Sequence, residues 1–155
     1  MKDDFTFWTV DDEEVVTSGL GPDVSSGGYV SFDYFMTISH PNNKAFLERY
    51  QAKYGPDALM NTVGVGMYNA GHMMALALTK AGKVETAALR DALKELEFDK
   101  APQGNIKMRG LDNQIVVPSY LMKVRDGWTS VNDMFEEIQS VPSVEPKDAR
   151  CDLPL

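Results

Sequence analysis

Two stretches of this chain constrain its fold most, because each joins regular structure to a tightly specified turn. Residues 28–54 predict a strand, a capped turn at Ser39-His40-Pro41 and an amphipathic helix that ends at Gly55-Pro56. Residues 101–124 predict a proline–glycine turn followed by a polar hairpin. Helical or near-helical blocks separate the two stretches. This order indicates an α/β fold, a mostly parallel sheet flanked by helices that ends in an antiparallel hairpin.

The remaining elements are predicted from hydrophobic periodicity and turn residues. A glycine-rich loop is expected over residues 19–28, and the Asp126-Gly127 pair predicts a tight turn between two strands. The expected strands cover residues 5–10, 29–35, 105–109, 114–124 and 128–131, and the expected helices cover 12–17, 41–54, 62–81 and 85–96.

The helix over residues 62–81 is apolar over much of its circumference, which predicts burial on most sides. Its glycines, Gly64, Gly66 and Gly71, are expected to let another backbone approach closely. Periodicity ends after Phe135, so residues 1–135 are predicted to form one folded unit and residues 136–155 an extended, proline-rich tail.

The charge of the chain argues against polyanionic partners. The sequence carries 15 basic and 23 acidic residues, a net charge of −8, whereas nucleic-acid binding depends largely on basic surface. Cys151 is the one cysteine, so neither an intramolecular disulfide nor a cysteine metal cluster is expected. We expect no nucleic-acid partner, no metal site and no cofactor.

The first residues of the sequence lack the features of an export signal. Residues 1–8 combine acidic and aromatic side chains without a basic segment, an apolar core or a small-residue cleavage site. Two expectations follow: the protein is cytoplasmic, or its export signal lies in sequence not present here. The longest apolar run, near residues 73–78, is too short to cross a bilayer.

Candidate binding residues lie at the carboxyl ends of the first two predicted strands, where ligands bind in open α/β sheets. Trp8, Tyr34 and Phe35 are aromatic candidates, and Thr9 is expected to offer a hydroxyl close to helix N–H groups. For each aromatic side chain, a place in the core is the competing interpretation.

Signals for catalysis are weak. Ser39, His40 and Asp33 would supply hydrolase chemistry, but adjacent residues rarely reach the required geometry and a G-x-S-x-G turn is absent from the sequence. His72 is interpreted as a packed or partly exposed side chain. Gly64-Val65-Gly66 lacks the third glycine and the preceding strand of a phosphate-binding loop. We expect a protein that is not an enzyme.

Four segments carry a resemblance to a known family. They are YFMTISHPNNKAF at residues 34–46, Tyr68-Asn69-Ala70, AALRDAL at 87–93 and FDKAPQG at 98–104. Together they resemble the type I periplasmic solute-binding proteins of ABC importers, in the branched-chain amino acid, amide and urea branch. The resemblance covers nearly all of residues 5–131, and His40 and Ser39 depart from the threonine and aspartate usual at those places.

The resemblance implies two α/β lobes that close on a ligand about a hinge. This chain matches only the C-terminal portion, so residues 1–135 would form part of the C-terminal lobe. Thr9 matches a cleft-facing position, Tyr34 and Phe35 match an aromatic pair near the hinge, and Tyr68 matches a tyrosine of the long helix.

The function implied is capture of a small polar solute, an amide, urea or branched-chain amino acid, for delivery to the permease subunits of an ABC transporter in the periplasm. The alternative is a cytoplasmic amide-sensing regulator of the same fold. A third reading is a half-domain that completes itself as a homodimer.

Overall fold

The computed structural model describes residues 5–145, which form two small sheets and five helices. Most elements agree in type with the sequence expectations, although several strands are shorter or displaced. In chain order they are β1 (Trp8–Thr9), α1 (Glu14–Leu20), α2 (Pro22–Ser25), β2 (Tyr29–Phe32), α3 (Pro41–Tyr54), α4 (Thr62–Ala81), α5 (Thr86–Leu93), β3 (Glu97–Ala101), β4 (Gly104–Met108), β5 (Ile115–Val116), β6 (Ser119–Val124) and β7 (Phe135–Val141).

The α/β class is confirmed, but the expectation of a mostly parallel sheet is wrong for the described strands. One sheet has the order β1-β2-β6-β7 and the other β3-β4-β5. Only β1 and β2 run parallel; the other four pairings are antiparallel. The chain leaves β2 through three helices and the second sheet, and it returns beside β2 in the opposite direction as β6.

The strand expected at residues 128–131 is absent, because Asp133 holds this segment as a turn. Its carboxylate accepts hydrogen bonds from the backbone N–H groups of Thr129 and Ser130 at 3.2 and 2.9 Å. The partner of β6 is instead β7, which extends to Val141. The tail expected over residues 136–155 therefore begins inside a strand, and its residues 146–155 lie outside the described part of the chain.

Helix α4 has the predicted bounds but not the predicted burial. Asn61 caps its first turn by accepting from Gly64 N at 2.9 Å, and Gly82 ends it in the left-handed conformation at φ 66°. Only one stripe is buried, formed by Thr62, Val65, Asn69, Met73 and Ala77. Of the three glycines, only Gly64 is closely packed: a Cβ added there would lie 2.6 Å from Met60 Sδ. A Cβ added at Gly66 or Gly71 would meet no atom within 4 Å.

The main core lies where β2, β6 and β7 meet α3 and α4. Its largest side chains include Tyr34 and Phe35, which are both fully buried, and Phe35 meets the Phe135 ring edge-on at 4.9 Å between centroids. Tyr34 donates its hydroxyl to Asn43 Oδ1 at 2.9 Å, so the polar end of the ring is satisfied inside the core.

The turn between β3 and β4 depends on a glycine. Gly104 has a φ of +99°, and a Cβ at this position would lie 3.0 Å from His40 Nε2. His40 is not free to move away, because its Nδ1 caps α3 by accepting from Asn42 N at 3.2 Å. The hairpin and the start of α3 are therefore packed together at this glycine.

We expect Gly104→Ala to lower the free energy of unfolding by about 1–3 kcal/mol, because the alanine is strained at this φ and displaces His40. Gly127→Ala is the matched control: its φ is +63° and an added Cβ meets no atom within 4 Å, so only the smaller left-handed penalty of about 1–2 kcal/mol applies. Urea unfolding of both variants measures the difference, and equal losses would contradict the contact with His40.

Candidate functional site

Polar side chains gather where the two parallel strands end. Because β1 and β2 run in the same direction, their carboxyl ends lie at one edge of the sheet. Thr9 closes β1 and Asp33 directly follows β2. Helix α1 begins after its cap Glu13, and α4 begins after its cap Asn61. We call Glu13, Glu14, Asp33, Asn61 and Thr62 the strand-end cluster.

Direct hydrogen bonds link the members of this cluster to one another. The Thr62 hydroxyl donates to Asp33 Oδ1, and Asn61 Nδ2 donates to Glu13 Oε1 at 3.5 Å. Asp33 is thereby tied to the first turn of α4, and α4 is tied to the cap of α1. The cluster contains three carboxyl groups, those of Glu13, Glu14 and Asp33, and no basic side chain, so hydrogen-bond acceptors outnumber donors.

Glu14 is the most unusual member, since its side chain is 0% exposed. Its Oε1 accepts from the backbone N–H of Met36 at 2.5 Å, whereas its Oε2 is buried without a hydrogen-bond partner among the described residues. Burial raises the pKa of Glu14 to about 8, and the nearby Glu13 carboxylate adds to the effect against the opposing Met36 hydrogen bond. Glu14 is therefore protonated at neutral pH.

Thr9 lines a cavity of about 310 Å³ between the sheet and helices α1 and α2. Its Oγ1 is buried and has no hydrogen-bond partner in the described part of the chain. The walls are mostly apolar and include Phe7, Leu20, Val24 and Val30, with Asp12 also in the lining. Thr9 is thus a polar group in an apolar recess close to the strand ends.

Tyr34 and Phe35 lie in the core and present no surface to a ligand within this chain. They follow the strand end as expected, but the backbone after Asp33 turns into the core. There the Tyr34 hydroxyl donates to Asn43, and the Phe35 ring packs against Phe135. For Tyr34 and Phe35, the alternative interpretation given above, a place in the core, therefore describes where the side chains lie. Trp8 is 64% exposed and packs loosely against Tyr29, with 6.4 Å between ring centroids.

Tyr68 belongs to a different surface, a groove of about 680 Å³ between α3, α4 and β3. Its ring lies 4.9 Å from Phe46 and 4.4 Å from His72, and His72 stacks on Phe98 at 5.0 Å with an interplanar angle of 11°. The lining of this groove shares no residue with the cavity beside Thr9. The four predicted site residues thus occupy three separate environments.

Sequence reasoning did not assign Glu14, Asn61 or Thr62 to the site. A signal was present for each: Glu14 ends an acidic run directly after an apolar strand, and Asn61-Thr62 is a cap before a glycine-rich helix. Across residues 5–145, no group of three His, Cys, Asp or Glu side chains has an arrangement that could hold a metal ion.

Comparison with known proteins identifies the family. The model of a family described as periplasmic binding protein matches residues 4–128, most of the chain. The chain belongs to the periplasmic binding protein family. No curated protein sequence matches it. This membership agrees with the resemblance carried by residues 34–46 and by the later segments.

Solved structures of other periplasmic binding proteins share the fold over part of their length. An ABC transporter substrate-binding protein from Sphaerobacter thermophilus is 25% identical with a TM-score of 0.75, and it aligns with 92% of this chain and 38% of its own. A leucine-, isoleucine-, valine-, threonine- and alanine-binding protein from Brucella ovis, in its closed conformation, is 18% identical with a TM-score of 0.75, covering 95% and 40%.

A third structure is a solute-binding protein from Rhodopseudomonas palustris BisB5 in complex with 3,4-dihydroxybenzoic acid. It is 24% identical, with a TM-score of 0.69, and covers 79% of this chain and 33% of its own. The chain therefore spans between a third and two-fifths of the length of these binding proteins. Within the described residues, no helix has the length and apolarity needed to cross a membrane.

We expect Glu14 to make the stability of this binding-protein domain fall as pH rises. Its pKa is about 8 when folded and about 4.5 for an ordinary glutamate, so folding takes up a proton between these values. The stabilising contribution is complete below pH 4.5 and is lost toward pH 8, at up to about 1.4 kcal/mol per pH unit.

Glu14→Gln keeps an acceptor for Met36 N and removes the titration, so its unfolding free energy should be nearly constant over this range where the wild type declines. Urea unfolding at pH 5, 6.5 and 8 measures the slopes. Glu48→Gln, at an exposed position on α3, is the control that should follow the wild type. Parallel declines in all three proteins would contradict the assignment.

Proposed function

We propose that this chain is part of the solute-binding component of an ABC importer, acting in the periplasm and delivering its solute to the permease subunits. The family match and the named substrate-binding proteins among the structural neighbours support this role. Their family is one of binding proteins, not of enzymes. Solute capture requires no bond to be made or broken.

The observation that carries the choice of solute is the excess of acceptors at the strand ends. Asp33 accepts one hydrogen bond, from the Thr62 hydroxyl, and Glu13 accepts one at each carboxylate oxygen, from Asn61 Nδ2 and Val15 N. The cluster has no cationic side chain. A solute placed there gains most by donating hydrogen bonds. This favours an amide, urea or the ammonium group of a branched-chain amino acid.

A neighbour in complex with 3,4-dihydroxybenzoic acid represents the other chemistry, that of an anionic solute. A carboxylate beside Asp33 and Glu13 would meet like charge, which is unfavourable near a low-dielectric surface. For this chain we therefore rank neutral and cationic donors above aromatic acids.

Among the predicted residues, Thr9 and Tyr68 keep a direct role in the proposal. Thr9 offers an unpartnered hydroxyl near the strand ends, and Tyr68 offers an aromatic wall in its own groove. Tyr34 and Phe35 act from the core instead, since Tyr34 binds Asn43 and thereby fixes the segment that follows Asp33.

We expect Thr9→Val to weaken solute binding about 5- to 150-fold, which corresponds to about 1–3 kcal/mol for a polar group left without its partner. The substitution preserves shape and removes a hydroxyl that makes no bond within the described fold, so folding should be unaffected. Calorimetry on the gene product that contains this chain, with acetamide, urea, leucine and 4-hydroxybenzoate as probes, measures the affinities.

Thr86→Val is the matched control, because Thr86 is exposed at the start of α5 and lines neither the cavity beside Thr9 nor the groove at Tyr68. Its affinity should equal that of the wild type. Preferential binding of 4-hydroxybenzoate would overturn the proposed solute class, and binding unchanged by Thr9→Val would remove Thr9 from the site.

A further inference from the structure

The groove that contains Tyr68 has walls from three elements of this chain, α3, α4 and β3, and we call it the α3–α4 groove. Its volume of about 680 Å³ lies in the range of small-molecule sites, about 300–1,000 Å³. Ala45 on α3 and Ala75 on α4 are both exposed and line the groove, so two of its walls carry a side chain no larger than a methyl group.

His72 forms a flat and accessible surface in this groove. Its imidazole stacks on the buried ring of Phe98, with 5.0 Å between centroids and an interplanar angle of 11°. Tyr68 lies 4.4 Å from His72 but only 6.5 Å from Phe98, so these two rings do not enclose the imidazole from opposite sides. His72 is itself exposed. The imidazole thus has one face supported by the core and one face available to a second flat ring.

Two cationic side chains line the groove from different elements, Arg49 from α3 and Lys100 from β3. Both are exposed, and neither forms an ion pair with another residue in the range 5–145. Among the described lining residues, the one carboxylate is that of Asp99. The groove therefore has a local excess of positive charge in a chain whose net charge is −8.

Asn42 holds the wall that carries Lys100. Its Nδ2 donates to the carbonyl oxygens of Asp99 and Ala101 at 2.9 and 3.0 Å, which joins the first turn of α3 to β3 on both sides of Lys100. Arg49 lies further along the same helix. The two cationic residues therefore belong to backbones that are bonded to each other, and this preorganisation lowers the cost of ordering them around a ligand.

We propose that the α3–α4 groove is a second binding site, for a nucleoside monophosphate. The base stacks on His72, and the phosphate lies between Arg49 and Lys100. The Asp99 carboxylate accepts a hydrogen bond from a ribose hydroxyl. A phosphate group with a charge of about −1.5 to −2 matches two cations better than a single carboxylate does. The net charge of the chain disfavours a polyanion, but one phosphate requires only local positive charge.

Calorimetry on the gene product that contains this chain tests the proposal, with adenosine 5′-monophosphate (AMP), adenosine and inorganic phosphate as probes. AMP should bind at least ten times more tightly than either of the others, because adenosine lacks the charged contact and phosphate lacks the stacked ring. Absence of AMP binding would overturn the proposal. An affinity for phosphate or for adenosine equal to that for AMP would overturn it as well.

Ala75→Trp tests the location, since its indole would fill the groove and should weaken AMP binding at least tenfold. Ala87→Trp is the matched control, because Ala87 is exposed in the first turn of α5 and does not line the groove. Its AMP affinity should equal that of the wild type. Equal affinities in the two variants would place AMP elsewhere and overturn the assignment.

Two further variants separate the contacts. Arg49→Gln should weaken AMP binding about 10- to 150-fold and leave adenosine unaffected, since it removes a charge-assisted hydrogen bond. Lys44→Gln, at an exposed position of α3 outside the groove, is its control. His72→Ala should weaken AMP and adenosine alike, by about 5- to 150-fold, and leave phosphate unaffected. An AMP affinity that neither Arg49→Gln nor His72→Ala changes would contradict the proposed contacts.

The cavity beside Thr9 provides the test of independence, because it shares no lining residue with the α3–α4 groove. Thr9→Val should leave AMP affinity at the wild-type value. A weaker affinity for AMP in this variant would place the nucleotide beside Thr9 and overturn the second site. Failure of the solute panel while AMP binds as expected would count against the solute role alone.

Discussion

The hydrogen bond from Met36 N to Glu14 is the interaction on which the rest of the arrangement depends. Met36 O accepts from Asn43 Nδ2 at 2.8 Å, and Met36 Sδ accepts from Met60 N at 3.2 Å. One buried residue thereby links α1, α3 and the segment that leads into α4. Because the Glu14 side chain is inaccessible to water, its pKa is raised, and the carboxyl group accepts this bond in its protonated form at neutral pH.

This arrangement separates the carboxyl groups of the strand ends by role. Glu14 is structural, since it is enclosed and holds the backbone after β2. Asp33 accepts from the Thr62 hydroxyl through Oδ1, whereas Glu13 accepts at both oxygens, from Asn61 Nδ2 and Val15 N. The strand ends therefore carry a buried structural carboxyl group beside two that are hydrogen-bond acceptors. The proposed solute preference rests on the second group, whereas the expected pH dependence of stability rests on the first.

The sequence predicted those elements whose signals are local. The bounds of α3 and α4 follow from a cap and a terminating glycine, at His40 and Gly55 and at Asn61 and Gly82. Strands β3 and β7 were missed because both are rich in exposed polar side chains, so neither shows an alternating pattern. Long-range contacts decided the site: nothing near Tyr34 in sequence indicates that Asn43 would hold its ring inside the core.

Helix α4 shows why periodicity alone predicted the wrong burial. An apolar pattern on two faces of a helix predicts burial of both faces, but it does not show whether the chain itself supplies a partner for each. Here the stripe through Val65 and Met73 meets its partners within the chain, and the stripe through Met67 and Met74 does not. The prediction of a helix buried on most sides is therefore wrong for the described residues, in which a single stripe of α4 is buried. The outer face of α4, on which Met67 and Met74 lie, carries no Asp, Glu, Lys or Arg before Lys80, so it meets the sequence criterion for burial although its side chains are exposed among the described residues.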